Sequence, residues 1–272
     1  MSNNYTALLQ KVRESKPLVH HITNYVTVNG CANVTLEIGA SPVMADAIGE
    51  AADIASIASS LVLNMGTLNE RTISSMIAAG EAANKKGIPV VFDPVGAGAS
   101  KLRNDTAEMI TSKIKLSVLR GNISEIRFVA GFCSQTKGVD ASDSDITGAE
   151  DAGQIAKDLA KKLGCVVVIS GAVDVVSDGK KVVLIENGHP MLANQTGTGC
   201  MCSSLIGSFC GAEPADPFAA SVSAMLCMSI AGEIAFKKAG QSGNGSFRAA
   251  LHDAINCMDV HTLEKMAKFS ET

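Results

Sequence analysis

The sequence has no tryptophan, two tyrosines and only 4% aromatic residues. Proteins that grip single-stranded nucleic acid stack bases on aromatic rings, and this chain has little to stack with. It has no excess of positive charge: 23 Lys and Arg stand against 27 Asp and Glu, for a formal net charge of -4, and no basic block stands out. Nucleic acid and anionic membrane surfaces are therefore poor fits as the main partner. The longest strongly apolar stretch without charge, Phe218 to Gly232, falls short of the ~18 residues that suggest a membrane span. The first 17 residues are polar and amphipathic, which does not suit a signal peptide. Eight cysteines occur, at 31, 133, 165, 200, 202, 210, 227 and 257, with no C-x-x-C pair. Most lie in apolar or small-residue stretches, which suits buried free thiols in a reducing compartment and not a disulfide framework or zinc site. A soluble, cytoplasmic protein is expected.

What is present is aliphatic. Hydrophobic residues make up 46% and charged residues 18% of 272 positions, which excludes a disordered chain. No repeat, low-complexity segment or convincing linker divides the sequence. The polar, acidic stretch from Gly138 to Gly153 reads as a loop entering a helix, so 1–272 is read as one domain. Four short runs are apolar throughout: 61–63, 88–92, 116–119 and 166–169. Runs without polar alternation suit strands covered on both faces of a parallel sheet. Helical patterns at 51–60, 69–86, 103–113 and 145–163 fall before and between them, which is the βαβ rhythm. The rhythm then changes. Residues 173–177 and 182–185 around Asp178-Gly179 read as a hairpin, and 189–193 as a further antiparallel strand. The last third reads as helical, over 200–210, 216–238 and 246 to the end. Pro217 suits a first helical position, with Asp216 as its cap.

Ligands of open α/β sheets bind at the carboxyl ends of strands. After the four runs come Asn64-Met65-Gly66-Thr67, Asp93-Pro94-Val95-Gly96-Ala97-Gly98, Arg120-Gly121-Asn122-Ile123-Ser124-Glu125 and Ser170-Gly171-Ala172. Polar residues and glycines thus collect on one edge. A second concentration, Asn194-Gln195-Thr196-Gly197-Thr198-Gly199-Cys200, opens into a helix of small residues. Converging amides and a helix start suit an anion site for phosphate, although no Walker lysine follows; taken alone, a glycine-rich turn before a helix more often serves packing. Asp93 and Glu125 end different strands and suit Mg²⁺, which needs few protein ligands. The alternative, a turn residue and a helix cap, stays open. Arg120 suits either an ion pair or a phosphate. Cys200 sits where a helix start lowers a thiol pKa, as a nucleophile or base, or is simply a small buried residue. His20 and His21 are adjacent and face opposite sides of an extended strand, so they do not readily share a metal. Met44 suits an apolar pocket or the core.

Five segments occur in an order that resembles the hydroxyethylthiazole kinase family of the ribokinase-like superfamily. They are Pro17-Leu18-Val19-His20-His21-Ile22-Thr23-Asn24, Gly39-Ala40-Ser41-Pro42-Val43-Met44-Ala45, Asp93 to Gly98, Arg120-Gly121-Asn122 with Glu125-Ile126, and Thr196 to Cys200. The resemblance spans nearly the whole chain, from about Pro17 to the Gly243–Phe247 stretch. It implies a ribokinase-like α/β fold: a largely parallel central sheet with antiparallel edge strands, helices on both faces and no lid domain. It implies MgATP-dependent phosphorylation of the primary alcohol of 4-methyl-5-(2-hydroxyethyl)thiazole in thiamine salvage. It also implies a homotrimer with active sites between subunits. By resemblance, Asp93 and Glu125 serve Mg²⁺ and the triphosphate, and Arg120 contacts ATP phosphates. Ser170 stands beside the nucleotide where the family often has Thr. Met44 and Gly197 contact the thiazole, with Asn24 lining the pocket. Gly197, Thr198 and Gly199, with Cys200, form the catalytic helix start. Wider ribokinase relatives carry a basic Asp at the Cys200 position, so here the thiol is expected to position the hydroxyl and to be dispensable. Competing readings are a kinase of another small alcohol such as hydroxymethylpyrimidine, an ADP-dependent hydrate dehydratase (which normally keeps that Asp), and a non-catalytic nucleotide or metabolite sensor.

Overall fold

A computed structural model describes residues 4–132 and 149–272. The chain begins with helix α1 (Asn4–Ser15) and continues as β1 (Leu18–Ile22), α2 (Val28–Ile38), β2 (Ser41–Met44), α3 (Ala51–Ile57), β3 (Ser60–Asn64) and α4 (Glu70–Lys86). Next come β4 (Val90–Asp93), α5 (Lys101–Lys113), β5 (Val118–Asn122), α6 (Ile123–Ala130), α7 (Ala149–Leu163), β6 (Val166–Ser170), β7 (Asp174–Ser177) and β8 (Val182–Ile185). A 3₁₀ turn (Pro190–Asn194) leads to α8 (Thr198–Ala212), α9 (Pro217–Ala239), α10 (Asn244–Asn256), α11 (Val260–Met266) and β9 (Phe269–Glu271). The strands form one sheet in the order β2-β1-β3-β4-β5-β6-β7-β8-β9. β2 through β6 run parallel, and β6 to β9 pair antiparallel. This is the expected mixed sheet, and among the described residues no second sheet forms a lid.

The all-apolar runs become strands because both sheet faces are covered. Val62, Val91, Val118 and Val168 join one buried cluster with α8 and α9. Leu61, Leu63, Phe92, Leu119 and Val167 join the other, with residues of α4, α5 and α7. Helix boundaries follow local chemistry. Asn69 and Thr72 form a reciprocal capping box at the start of α4, and Gly87 ends it in the left-handed region at φ 80°.

Several expectations shift. Run 88–92 pairs only from Val90: Pro89 has no N–H to offer, and instead its carbonyl accepts from Leu61 N. Residues 189–193 are not a strand. Pro190 starts a 3₁₀ turn capped by His189, and β9 takes the place beside β8. The C-terminal helix breaks between Asn256 and Val260 and ends in β9. Residues 138–148 of the acidic stretch, the helical expectation for 145–148 and Cys133 lie outside the described residues. Helix α9, with its extension to Ser242, is longer than the apolar run foretold and is apolar enough to cross a membrane. Its most apolar window is 89% buried inside the fold, as in a central core helix.

Candidate active site

Strand alternation assembles the site. Val62, Val91, Val118 and Val168 face α8 and α9, so two residues on, Asn64, Asp93, Arg120 and Ser170 turn to the same side. Parallel pairing sets Asn64 opposite Asp93, while Ser170 lies opposite Asn122, two residues beyond Arg120. Helix α8 begins above this row, and the other half of the site comes from its first turn.

Asp93 is fully buried. Its Oδ2 accepts from Ser203 Oγ at 2.7 Å and Asn64 Nδ2 at 2.9 Å, with Arg120 Nη1 at 3.6 Å. Its Oδ1 is buried without a partner, and so is Arg120 Nε. Burial pushes the Asp93 carboxyl up, while Arg120, Ser203 and Asn64 pull it back. Burial works against the Arg120 charge, but Asp93 before other groups holds it cationic. Arg120 Nη2 donates to Ser170 Oγ at 2.7 Å. Glu125 accepts from Gly96 N through Oε1 and from Asn122 N through Oε2, both at 2.8 Å. It therefore closes a capping box with Asn122 on α6 and also ties the loop after β4 to the end of β5. Burial first, then Asp93, raises its pKa to about 7.

Gly197 caps α8 at φ 90°, a conformation that favours glycine, and a Cβ there would lie 2.7 Å from Thr27 Cγ2. A Cβ on Gly199 would lie 2.7 Å from Arg120 Nη1. The glycines thus let the helix start approach both Thr27 and the arginine. Met201 N is the first amide of α8 to find a helical carbonyl, Gly197 O at 2.8 Å. The N–H groups of Thr198, Gly199 and Cys200 are the free donors that a helix start offers an anion. The Thr198 hydroxyl instead donates back to the preceding turn, to Leu192 O and Gln195 O.

Cys200 Sγ accepts from Asn24 Nδ2 and Asn64 Nδ2, each at 3.3 Å, and Asn24 also donates to Asn64 Oδ1. The expected lowering of its pKa does not occur. Burial, then Asp93, pushes the thiol up to about 11, against the hydrogen bonds of Thr27 and Asn24. Cys200 is a neutral thiol at physiological pH, not an activated nucleophile. Beside this network lies a cavity of about 250 Å³, with His21, Thr23, Tyr25, Met44, Thr67 and Arg71 in its lining. Met44 is thus a half-buried pocket residue, beside His21 in the strand register. The structure brings together Asn24, Asp93, Arg120, Glu125, Ser170 and the Gly197–Cys200 turn. Sequence reasoning passed over Asn64 as a site residue, and also Ser203 and Thr27. The two-residue step from Val62 would have signalled Asn64.

Residues 9–261 match the model of the hydroxyethylthiazole kinase family. The chain belongs to that family. It is 60% identical over 266 residues to the hydroxyethylthiazole kinase of Ruminiclostridium cellulolyticum, covering 98% of this chain and 97% of the relative. It is 59% identical to that of Clostridium beijerinckii, covering 97% and 96%. The solved hydroxyethylthiazole kinase protein of Pyrococcus horikoshii superposes with a TM-score of 0.89 at 38% identity, covering 98% of each chain. Pyridoxal kinase from Staphylococcus aureus superposes at 0.61 with 15% identity over 80% of this chain and 88% of its own, a likeness of fold alone.

Proposed function

We propose that this chain transfers the γ-phosphoryl group of ATP to the primary alcohol of 4-methyl-5-(2-hydroxyethyl)thiazole, a step of thiamine salvage. The observation that carries this reading is the convergence of a cation, two buried acids and a free helix start beside a small cavity. Residues 1–272 act as one kinase unit. Its seven described cysteines are all free, which suits the cytoplasm.

The donor set fits Mg²⁺. Asp93 Oδ1 is a buried carboxylate oxygen without a partner, and burial and then Asp93 raise the cost of charging Glu125 beside it. Among the described residues no group of three or more His, Cys, Asp or Glu could hold a metal. That suits an ion completed by phosphates and water. Asp93 would hold it directly, and Glu125, whose two oxygens already accept backbone amides, through its remaining lone pairs. A bound Mg²⁺ would neutralise phosphate charge.

This chain's own residues do the rest. Arg120, with Ser170 fixing its Nη2, meets the phosphates. The Thr198, Gly199 and Cys200 amides face the charge on the transferring group. Asn24, Met44 and Gly197 hold the alcohol substrate. Both lone pairs of the Cys200 sulfur receive amide N–H groups, so the thiol offers a proton and does not take one. It positions the hydroxyl. In a loose transition state the alcohol proton leaves late, to a phosphoryl oxygen or water. Incubation with MgATP and the thiazole alcohol, read by mass spectrometry, gives ADP and the thiazole phosphate, and Asp93→Ala abolishes both. Phosphorylation of hydroxymethylpyrimidine in place of the thiazole would overturn the substrate.

A further inference from the structure

One group beside the cavity is not explained by phosphoryl transfer. His21 is 1% exposed, yet its Nε2 is buried without a hydrogen-bond partner. Its Nδ1 lies 3.1 Å from Val19 O. A carbonyl only accepts, so Nδ1 carries the proton, and in a neutral ring Nε2 is left as an acceptor. Burial keeps the ring neutral, holding its pKa down to about 4. A buried acceptor with nothing to accept costs stability, and such groups in native proteins call for a partner. The same cavity is lined by Thr23, whose buried Oγ1 has only the Cys31 sulfur, a weak acceptor, to which its hydroxyl can turn. A ligand nitrogen is a stronger acceptor than that sulfur, so the hydroxyl proton of Thr23 can be drawn to a ligand. The cavity offers one acceptor and one donor on the same strand end. It adjoins the reacting centre through Asn24, the next residue, which touches Cys200.

We propose that His21 and Thr23 together read the edge of the substrate ring opposite its reacting arm. The inference rests on the function proposed above. In 4-methyl-5-(2-hydroxyethyl)thiazole the arm leaves C5, and the bond across the ring joins C2 to N3. N3 is an acceptor, and the C2–H between nitrogen and sulfur is a polarised donor. With the arm directed to Cys200, that edge meets Thr23 Oγ1–H and His21 Nε2 in complementary order. The pair thereby selects a five-membered ring with adjacent nitrogen and C–H, and disfavours substitution at C2.

Calorimetry with the thiazole alcohol in the absence of nucleotide, beside kinetics with MgATP, tests this. Thr23→Val removes the hydroxyl at constant shape. It weakens thiazole binding roughly tenfold, the size of one hydrogen bond, and leaves the KM for ATP unchanged. A thiophene analogue, with carbon in place of N3, binds wild type and Thr23→Val alike. His21→Asn keeps a donor for Val19 O and lacks Nε2. It binds the parent a few-fold more weakly, as a polarised C–H contact allows, and gains the 2-methyl analogue that wild type rejects. His21→Gln, which keeps an acceptor near the Nε2 position, restores parent binding. Unfolding temperatures are recorded for each, and Thr23→Val serves alone if the histidine variants do not fold. If wild type binds and phosphorylates the thiazole while Thr23→Val treats parent and thiophene as wild type does, the ring-edge inference is wrong and the function stands. If wild type neither binds nor phosphorylates the thiazole, the function itself is wrong.

Discussion

At Cys200 the chemistry of one residue decides between two mechanisms. A general base contributes about 10²–10⁴-fold, so its loss would be severe. A neutral thiol that accepts hydrogen bonds from Asn24 and Asn64 has no such role to lose. Steady-state kinetics of Cys200→Ala therefore gives a kcat less than about tenfold below wild type, and a drop of a thousandfold would restore the base. Asp174 carries a different prediction. It is buried, accepts from Gly171 N and Ser229 Oγ at 3.0 Å each, and burial raises its pKa to about 6. An acid with a raised pKa binds its proton more tightly in the folded state, so stability falls as pH climbs from about 4 to 6 and stays lower above. Asp174→Asn keeps the acceptor for Gly171 and removes the charge. Denaturant titrations then show it more stable than wild type at pH 8, by on the order of 2 kcal/mol, with the difference vanishing near pH 4. Equal offsets at both pH values would refute the assignment. The acids, Arg120 and the glycine turn were legible from their places after apolar runs. The thiol's raised pKa was not, because it depends on burial in the fold first and then on Asp93, more than a hundred residues away in the chain.

Elements were legible where both sheet faces are buried, since β3 to β6 carry runs of Val, Leu, Ile and Phe that nothing else explains. β1 was read only as an extended stretch at His20 and His21, because the paired histidines break that pattern, and β2 was missed because of Pro42, which is tolerated there because β2 is an edge strand. The three-residue β9 is held by pairing with β8, a contact no local pattern announces. Helix α8 lends itself to a paired test at its start. Gly197→Ala forces φ 90° on a residue with a Cβ and drives it into Thr27, so thermal unfolding falls by several degrees. Gly199→Ala needs no unusual backbone, but its Cβ displaces Arg120 from Ser170. That variant keeps its unfolding temperature and shows a raised KM for ATP with a lowered kcat. If the two variants lost stability equally, the different roles given to the glycines would be wrong.

At the scale of the whole molecule, the sheet has two unlike edges. β9 closes one, a short strand with Ser270 and Glu271 exposed. β2 forms the other; Leu36 on the preceding helix (58%) and Ile48 just after β2 (53%) are exposed, as are Tyr25 (79%) and Val26 (58%) after the neighbouring β1. Large apolar side chains beside an open strand edge are what a subunit interface covers, and burying each would contribute about 1.5–3 kcal/mol. Tyr25 also lines the cavity beside Cys200, so a neighbour seated on this edge would wall the substrate site as well. We propose that three chains assemble through the β2 edge, the homotrimer that the family resemblance implies. Sedimentation equilibrium then gives about three times the chain mass of 28.0 kDa. Leu36→Arg, on the exposed face of α2, yields a single chain with unchanged far-UV circular dichroism and a raised KM for the thiazole. The KM for ATP moves little, because Arg120 and Ser170, the groups proposed to meet the nucleotide, lie inward of that edge, on β5 and β6. A wild-type protein that sediments as one chain at full activity would exclude the shared site, and a Leu36→Arg trimer would move the interface to another face.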